Sequence, residues 1–461
     1  MISLTIKEIA SMINGTLYIN EADENDLVNG VVIDSREVQK GNLYVPIVGN
    51  RVDGHSFIAD VENKGATLTF CSNIEYLPQK MAVLVVEDTL AAMQDLAKAY
   101  RKILSATVIG ITGSNGKTSC KDILAGALSI KLKTQKTQGN KNNEIGVPLT
   151  LLSLDRDVEA AVVEMGMENR EEIHFLNPIV SQNIAVITNV GIAHLENLGS
   201  IENIGRAKLE IIDHLQPGSL FVYYGDDPIL TKLMKKKVIP EGVRVLTFGK
   251  EKSNDVYLTS LSQDYDGIRF QLNEDGYSYH LPMLGEHQAI NAMAAIIIAK
   301  DLGLHAEEIQ QGFYRIEKTG MRNELMTIGN CTILNDAYKS NPQSAHAALE
   351  TFHGFDHPYK ICVLADMLDL GDTTANLHHA LGYSLNKYGF KEILCMGELS
   401  NYIAEGAKES CQDAKIVHFN DREELFDYLK DYIKRDCMIL FKGSRGMALD
   451  LVIDKMKEYG E

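Results

Sequence analysis

Ala106-Thr107-Val108-Ile109-Gly110-Ile111 runs directly into Thr112-Gly113-Ser114-Asn115-Gly116-Lys117-Thr118, and this stretch decides the fold class. Its first six residues are apolar and rich in β-branched side chains, as a strand buried on both faces requires. The next seven make a Gly-rich turn, and a helical pattern follows. Strand, Gly-rich turn and helix in that order frame a phosphate-binding loop. Gly113 and Gly116 let backbone N–H groups approach phosphate oxygens, Lys117 neutralises charge at the β/γ positions, and the Thr118 hydroxyl can ligate Mg²⁺. Ser114, Asn115 and Ser119 complete the candidate loop. The strict pattern for such loops starts with Gly where this chain has Ile111, so the loop is a variant. The alternative is a chance Gly-Lys-Thr in an ordinary turn; ATP is the expected ligand.

Working outward, runs at 159–164 and 183–188 have the length and branching of further buried parallel strands, each ending at a polar cluster. Strand ends of this kind are where open α/β sheets hold ligands. Upstream, Leu90, Met93, Leu96, Ala97 and Tyr100 recur at spacings of three and four, predicting an amphipathic helix. Downstream, 253–284 alternates apolar and polar residues around Asp266-Gly267 and Asp275-Gly276, as in a β-meander. From about 315, strand runs at 332–335, 359–365, 392–396, 415–419 and 437–441 alternate with helical stretches, predicting a Rossmann-like unit. Residues 1–84 carry short strand-like runs, such as 30–36 and 42–47. The expectation is an α/β chain of three domains: a small N-terminal α/β domain at 1–84, a central P-loop ATPase-like domain at 85–314, and a Rossmann-like domain at 315–461.

The charge balance narrows the function. With 63 Asp and Glu against 45 Lys and Arg among 461 residues, the formal charge is −18, which disfavours a nucleic-acid or anionic-membrane partner. The seven cysteines include no C-x-x-C pair and predict buried free thiols in a reducing compartment. The N-terminus lacks the basic start and apolar core of a signal peptide, and no apolar run is long enough for a membrane span. A soluble cytoplasmic monomer acting on small molecules is expected.

Several further motifs carry a resemblance: Gly139-Asn140-Lys141-Asn142-Asn143-Glu144-Ile145-Gly146, Val163-Glu164-Met165-Gly166, Asn189-Val190-Gly191-Ile192-Ala193-His194, and Lys442-Gly443-Ser444-Arg445-Gly446. With the phosphate loop, and in this order over nearly the whole chain, they resemble the Mur ligase family, ATP-dependent amide-forming enzymes of peptidoglycan synthesis and relatives such as folylpolyglutamate synthase. The resemblance is nearest to members that join D-alanyl-D-alanine to UDP-N-acetylmuramoyl-tripeptide through an acyl phosphate, and it implies those two substrates.

What the resemblance implies for residues is specific. Lys117, Glu164, His194 and Lys208 would be catalytic. Thr118 and Glu164 would hold one Mg²⁺; His194 and a carbamylated Lys208 would hold a second. The alternative for Glu164 is a solvated strand-end carboxylate; by spacing alone His194 reads as a structural histidine and Lys208 as a surface lysine on an amphipathic helix. His287 and Asn291, at i and i+4 of a helical stretch, would meet the adenine; Arg322 and Asp336 would meet the phosphates and ribose as the C-terminal domain closes. Ser35, Arg36, Gly54 and His55 would bind the uridine diphosphate end, Thr137, Asn140, Asn142 and Asn143 the sugar-peptide arm, and Tyr338, Lys442, Ser444 and Arg445 the incoming dipeptide, whose carboxylate needs a cation.

Three departures stand out. The family's Asp-Ala-Tyr-Asn reads Asp336-Ala337-Tyr338-Lys339 here, its Gly-Glu-Ser-His reads Gly191-Ile192-Ala193-His194, and its Leu-Gly-Asp-Met reads Leu364-Ala365-Asp366-Met367. They leave room for a paralogue that ligates a different amine or dipeptide. A silent nucleotide-binding regulator is the reading from another class.

Overall fold

The computed structural model describes residues 1–460. A nine-stranded sheet lies at the centre. Its order is Ser278–Leu281, Gly267–Leu272, Val256–Asp264, Arg244–Gly249, Leu220–Tyr224, Ile184–Ile187, Thr107–Thr112, Ala160–Glu164 and Thr134–Lys136. The pairings from Val256–Asp264 to Thr134–Lys136 are parallel, and the first three strands form the antiparallel meander. Thr107–Thr112 sits between strands that run onward in opposite directions across the sheet, the switch point where α/β sheets open a ligand crevice. Register aligns Glu164 with Ile111 and Ile187 with Thr112, so these three strands end together at the Gly-rich loop.

The helix after that loop, Lys117–Leu128, is buried on nearly every side between the sheet and the helix Glu286–Asp301. Gly116 adopts φ 80 at its N-cap and no side chain caps it, so the first N–H groups remain free to bind an anion. A Cβ on Gly113 would stand 1.9 Å from Thr188 Oγ1, so only glycine fits there. Leu90 to Tyr100 fall on the helix Thr89–Ile103, with Met93, Leu96, Ala97 and Tyr100 fully buried. Among the described residues no helix is long and apolar enough to cross a membrane.

The N-terminal part holds a five-stranded sheet ordered Thr16–Tyr18, Ala82–Val85, Leu68–Cys71, Leu43–Tyr44 and Val31–Val32. The 42–47 run makes only the two-residue ladder Leu43–Tyr44, because Pro46 brings no N–H to extend it. The C-terminal part is a six-stranded sheet ordered Glu324–Ile328, Cys331–Asp336, Cys437–Lys442, Lys360–Ala365, Glu392–Met396 and Lys415–Phe419, parallel except for its first strand. All seven cysteines are free thiols, and six are buried; Cys411 is half-buried, short of the burial expected for it.

Side chains lock the C-terminal part onto the central one. Lys136 Nζ pairs with Asp122 at 2.9 Å and donates to the Glu317 carbonyl at 2.8 Å, while Asp122 accepts the Thr319 N–H at 2.9 Å. That ion pair grips the 314–320 connection. Further along, Asn341 Nδ2 donates to Asn115 Oδ1 at 2.8 Å and Asn115 Nδ2 to Gln343 Oε1 at 2.9 Å. The phosphate loop itself is therefore part of the joint.

At the far end of the C-terminal sheet, the buried Glu392 carboxylate accepts hydroxyls from Tyr359 at 2.7 Å, Tyr432 at 2.6 Å and Tyr428 at 2.5 Å. Burial raises its pKa, but the three phenols outweigh it, and the net shift is below the usual 4.5. A carboxylate whose pKa is depressed by folding adds stability above its unfolded pKa and loses it as pH falls through the folded value. Tyr432→Phe is therefore expected to cost about 1.5–3 kcal/mol at pH 7 in urea unfolding, with the difference closing once the pH drops below the Glu392 pKa. A constant difference across pH would contradict this account.

Candidate active site

The central and C-terminal parts face a cavity of about 1600 Å³. Ser114, Asn115, Gly116, Lys117, Thr118 and Ser119 line it, with Gly113 just behind, where its carbonyl accepts Lys117 Nζ at 2.7 Å. Ser114 Oγ donates to the Gly191 carbonyl at 2.9 Å. Asn189 and Thr188 brace Asn115 from the neighbouring strand end: Asn189 Oδ1 accepts the Asn115 N–H at 2.9 Å and Thr188 Oγ1 donates to its carbonyl at 2.5 Å. Burial, then the nearby Lys339, lowers the Lys117 pKa to about 8. That is the state of a cation waiting for an anion.

Glu164 is 2% exposed at the end of its strand, which rules out the solvated reading. Its Oε2 accepts the Thr118 hydroxyl at 2.8 Å, its Oε1 accepts Asn142 Nδ2 at 2.8 Å, and Thr137 Oγ1 accepts its own N–H at 3.0 Å. Thr137 is fully buried and lies off the cavity, holding the strand end. Asn140, Asn142 and Asn143 line the cavity; Asn143 Oδ1 also caps the helix Gly146–Ser153 through the Gly146 N–H at 2.9 Å. The fully buried Lys121 sits behind this group, 3.6 Å from Asp122 and 3.8 Å from Glu164.

His194 and Lys208 come together around Lys339. His194 is a left-handed residue, φ 56, opening a short helix, and its Nε2 lies 3.4 Å from Lys339 Nζ. Burial and then the ammonium groups of Lys339, Lys117 and Lys208 pull its pKa down to about 3, so the ring is neutral. Lys208 is 2% exposed, which corrects the surface reading: it shares a face with Ile201 and Ile204, and that face turns inward. Its pKa is driven well down by burial, and the charges that act on it are the cations Lys117 and Lys339. Among the described residues no group of three His, Cys, Asp or Glu is placed to hold a metal ion.

The opposite wall comes from a second helix of the central part and from the C-terminal part. His287 and Asn291 share one face of the helix Glu286–Asp301 and line the cavity. Asn323 Nδ2 lies 3.1 Å from His287 Nε2, and burial lowers the pKa of this imidazole. The Arg322 guanidinium stacks 4.2 Å over the Tyr338 ring. Asp336 and Lys442 are register partners at adjacent strand ends and form an ion pair at 2.8 Å. Lys442 Nζ also donates to the Lys339 carbonyl at 2.5 Å. This ammonium is thus engaged by its own chain, not left open for a substrate anion. Ser444 Oγ accepts the Leu368 N–H at 3.0 Å, and Arg445, half exposed at the rim, pairs with Asp450 at 2.5 Å.

The four residues expected at the uridine end stand apart from this cavity. Arg36 is 86% exposed and doubly bonded to Asp34, whose pKa its hydrogen bonds lower to about 2. Ser35 lies in the same turn, its carbonyl accepting Lys64 Nζ at 2.8 Å. Gly54 packs against Ile47 and accepts the Tyr44 hydroxyl at 2.9 Å. His55 is buried with both ring nitrogens in use, on Asp53 at 2.6 Å and the Ser72 N–H at 3.1 Å. The geometry makes His55 a clamp for its turn. Conversely, spacing had singled out neither Asn189 nor the pair Asn341 and Gln343, since only the closed arrangement brings them to the loop.

Comparison with known proteins agrees with this architecture. The family profile described as Mur ligase middle domain matches residues 111–299, that of the Mur ligase glutamate ligase domain 321–445, and that of the Mur ligase family catalytic domain 27–101. The UDP-N-acetylmuramoyl-tripeptide–D-alanyl-D-alanine ligase of Bacillus subtilis (strain 168) is 37% identical, with 99% of each chain covered. A crystal structure of MurF from Acinetobacter baumannii superposes with a TM-score of 0.89 at 28% identity, covering 99% of both chains. MurF from Thermotoga maritima in complex with ADP gives 0.82 at 27% identity, covering 94% of this chain and 98% of that one. The chain belongs to the Mur ligase family, in its MurF branch.

Proposed function

We propose that the chain is an ATP-dependent, ADP-forming ligase that joins D-alanyl-D-alanine to UDP-N-acetylmuramoyl-tripeptide in peptidoglycan precursor synthesis, acting as a cytoplasmic monomer. The observation that carries this reading is the meeting of an uncapped helix N-terminus, Lys117 and the Thr118–Glu164 pair at one wall of a cavity whose other wall is supplied by Arg322, Asp336 and Lys339. Full-length similarity to a ligase of that name in Bacillus subtilis supports the choice of substrates.

Amide formation needs a better leaving group than oxide. A substrate carboxylate oxygen attacks the γ-phosphorus and ADP leaves; the dipeptide amine then attacks the acyl-phosphate carbon, releasing phosphate and a proton. The loop N–H groups and Lys117 hold the triphosphate and neutralise the charge that builds between two anions. The Thr118 hydroxyl and the Glu164 carboxylate, hard oxygens 2.8 Å apart with Asn142 fixing the second oxygen, suit Mg²⁺. When bound there, Mg²⁺ would polarise the phosphates. His287 and Asn291 would face the adenine, and the asparagine-rich 140–143 turn the peptide arm. The joint through Asn115, Asn341 and Gln343 closes the cavity and keeps water from a hydrolysable acyl phosphate. Ser35, Arg36, Gly54 and His55 would shape the uridine end at a distance from the chemistry.

Phosphate release is the test. Purified protein with ATP, Mg²⁺ and UDP-N-acetylmuramoyl-tripeptide should release phosphate only when D-alanyl-D-alanine is added. Release with another amine but not this dipeptide would establish a paralogue, and none with any amine would leave a nucleotide-binding regulator.

A further inference from the structure

The residues that resemblance assigned to a second metal ion do not fit one here. The atom His194 would offer, Nε2, faces the Lys339 ammonium at 3.4 Å. A divalent ion on that nitrogen would stand beside a like charge, which Coulomb repulsion opposes. We propose that Lys339 is itself the second cation of this site: its ammonium, carried in on the C-terminal loop, stands where a second divalent ion would stand, and the chain works with one.

The loop is built to aim this side chain. Lys442 holds the Lys339 carbonyl at 2.5 Å and pairs with Asp336 three residues earlier. Two residues later Asn341 caps the helix Pro342–His353 and bonds Asn115 of the phosphate loop at 2.8 Å. Pinned on both sides, Lys339 lines the cavity and is exposed there. The charged groups that act on it are the carboxylates of Asp369, Glu168 and Glu164 and the guanidinium of Arg322. Burial lowers the pKa of this ammonium, and those carboxylates oppose that shift. The asparagine of the family pattern would bring no charge. A cation borne on the C-terminal part has a further consequence: it is present only when the two parts are joined, so charge neutralisation and closure arrive together.

This inference rests on the ligase reading, and counting bound ions tests it apart from turnover. Mn²⁺ is titrated into the full chain with a nonhydrolysable ATP analogue and UDP-N-acetylmuramoyl-tripeptide, and bound ions are counted by electron paramagnetic resonance. One ion per wild-type chain and two per Lys339→Asn chain are expected, with His194→Ala added to Lys339→Asn returning the count to one. Lys339→Gln is measured alongside, so that a folding defect in one variant does not decide the outcome. Two ions in the wild type, or one in both wild type and variants, overturns the proposal. No nucleotide-dependent ion in any of them overturns the ligase reading and this inference with it.

Discussion

Lys117→Met is expected to abolish ADP formation while leaving the protein folded and at least as resistant to heat. Lys117 Nζ is held only by the Gly113 carbonyl, at 2.7 Å, and burial together with Lys339 has already brought its pKa to about 8. Its charge is therefore a burden to the free protein, carried for a ligand. Methionine keeps the length of the side chain and removes the charge, so repulsion with Lys339 falls and no cavity opens. What disappears is a preorganised cation at the transferring phosphoryl. Removing one such group costs roughly 10²–10³ in kcat, or about 3–4 kcal/mol of barrier, and here nucleotide binding should weaken as well. The measurements are phosphate release, ADP binding and a thermal melt on the same preparation. Turnover within tenfold of wild type would remove Lys117 from the site; a lost melting transition would mean that its role is structural.

The sequence made the loop legible because every part of it is local. A β-branched run, a glycine that alone tolerates φ 80 and a lysine beside it lie within thirteen residues. Glu164 was legible for a related reason: an apolar strand that ends on a carboxylate places it at the sheet's carboxyl edge. Lys208 carried its signal too, since it is four residues from Ile204, yet a lysine flanked by Arg206 and Glu210 reads as surface unless the inward face is counted. The 42–47 run was overread, because alternation cannot see that Pro46 ends the ladder.

Other residues depend on pairings far apart in the chain. Lys442 ends a strand, which suggests an anionic substrate; that Asp336 stands opposite it follows from the register of two strands separated by a hundred residues, which periodicity does not contain. The same holds for Asn115, a loop residue by its motif, whose side chain joins the loop to Asn341 and Gln343. Lys339 was visible only as a departure from a pattern. Its meaning came from the 3.4 Å to His194 Nε2, a distance set by how two domains meet. The acidic total of −18 likewise describes the outer surface, while the cavity gathers Lys117, Lys339 and Arg322, with Lys208 buried nearby.

That gathering makes Lys208→Ala the second decisive substitution. A buried lysine with cations for neighbours is forced toward the neutral amine, and a neutral amine is the form that adds to CO₂, giving a carbamate and a released proton. A carbamate there would be an anion near the ammonium groups of Lys117 and Lys339, so the surroundings that destabilise the Lys208 ammonium would stabilise the adduct. If the carbamate forms, alanine removes the counter-ion it would give Lys117 and Lys339, and kcat is expected to fall by about 10²–10³. Alanine also leaves space, and short carboxylates such as formate or acetate are expected to enter it and restore part of the rate in a saturable way, with no effect on the wild type. Lys208→Met is the control that separates charge from packing: it cannot be carbamylated, fills the space and should be equally slow but not rescued. Wild-type activity in the alanine variant, or equal rescue of alanine and methionine, would show that Lys208 acts only by packing.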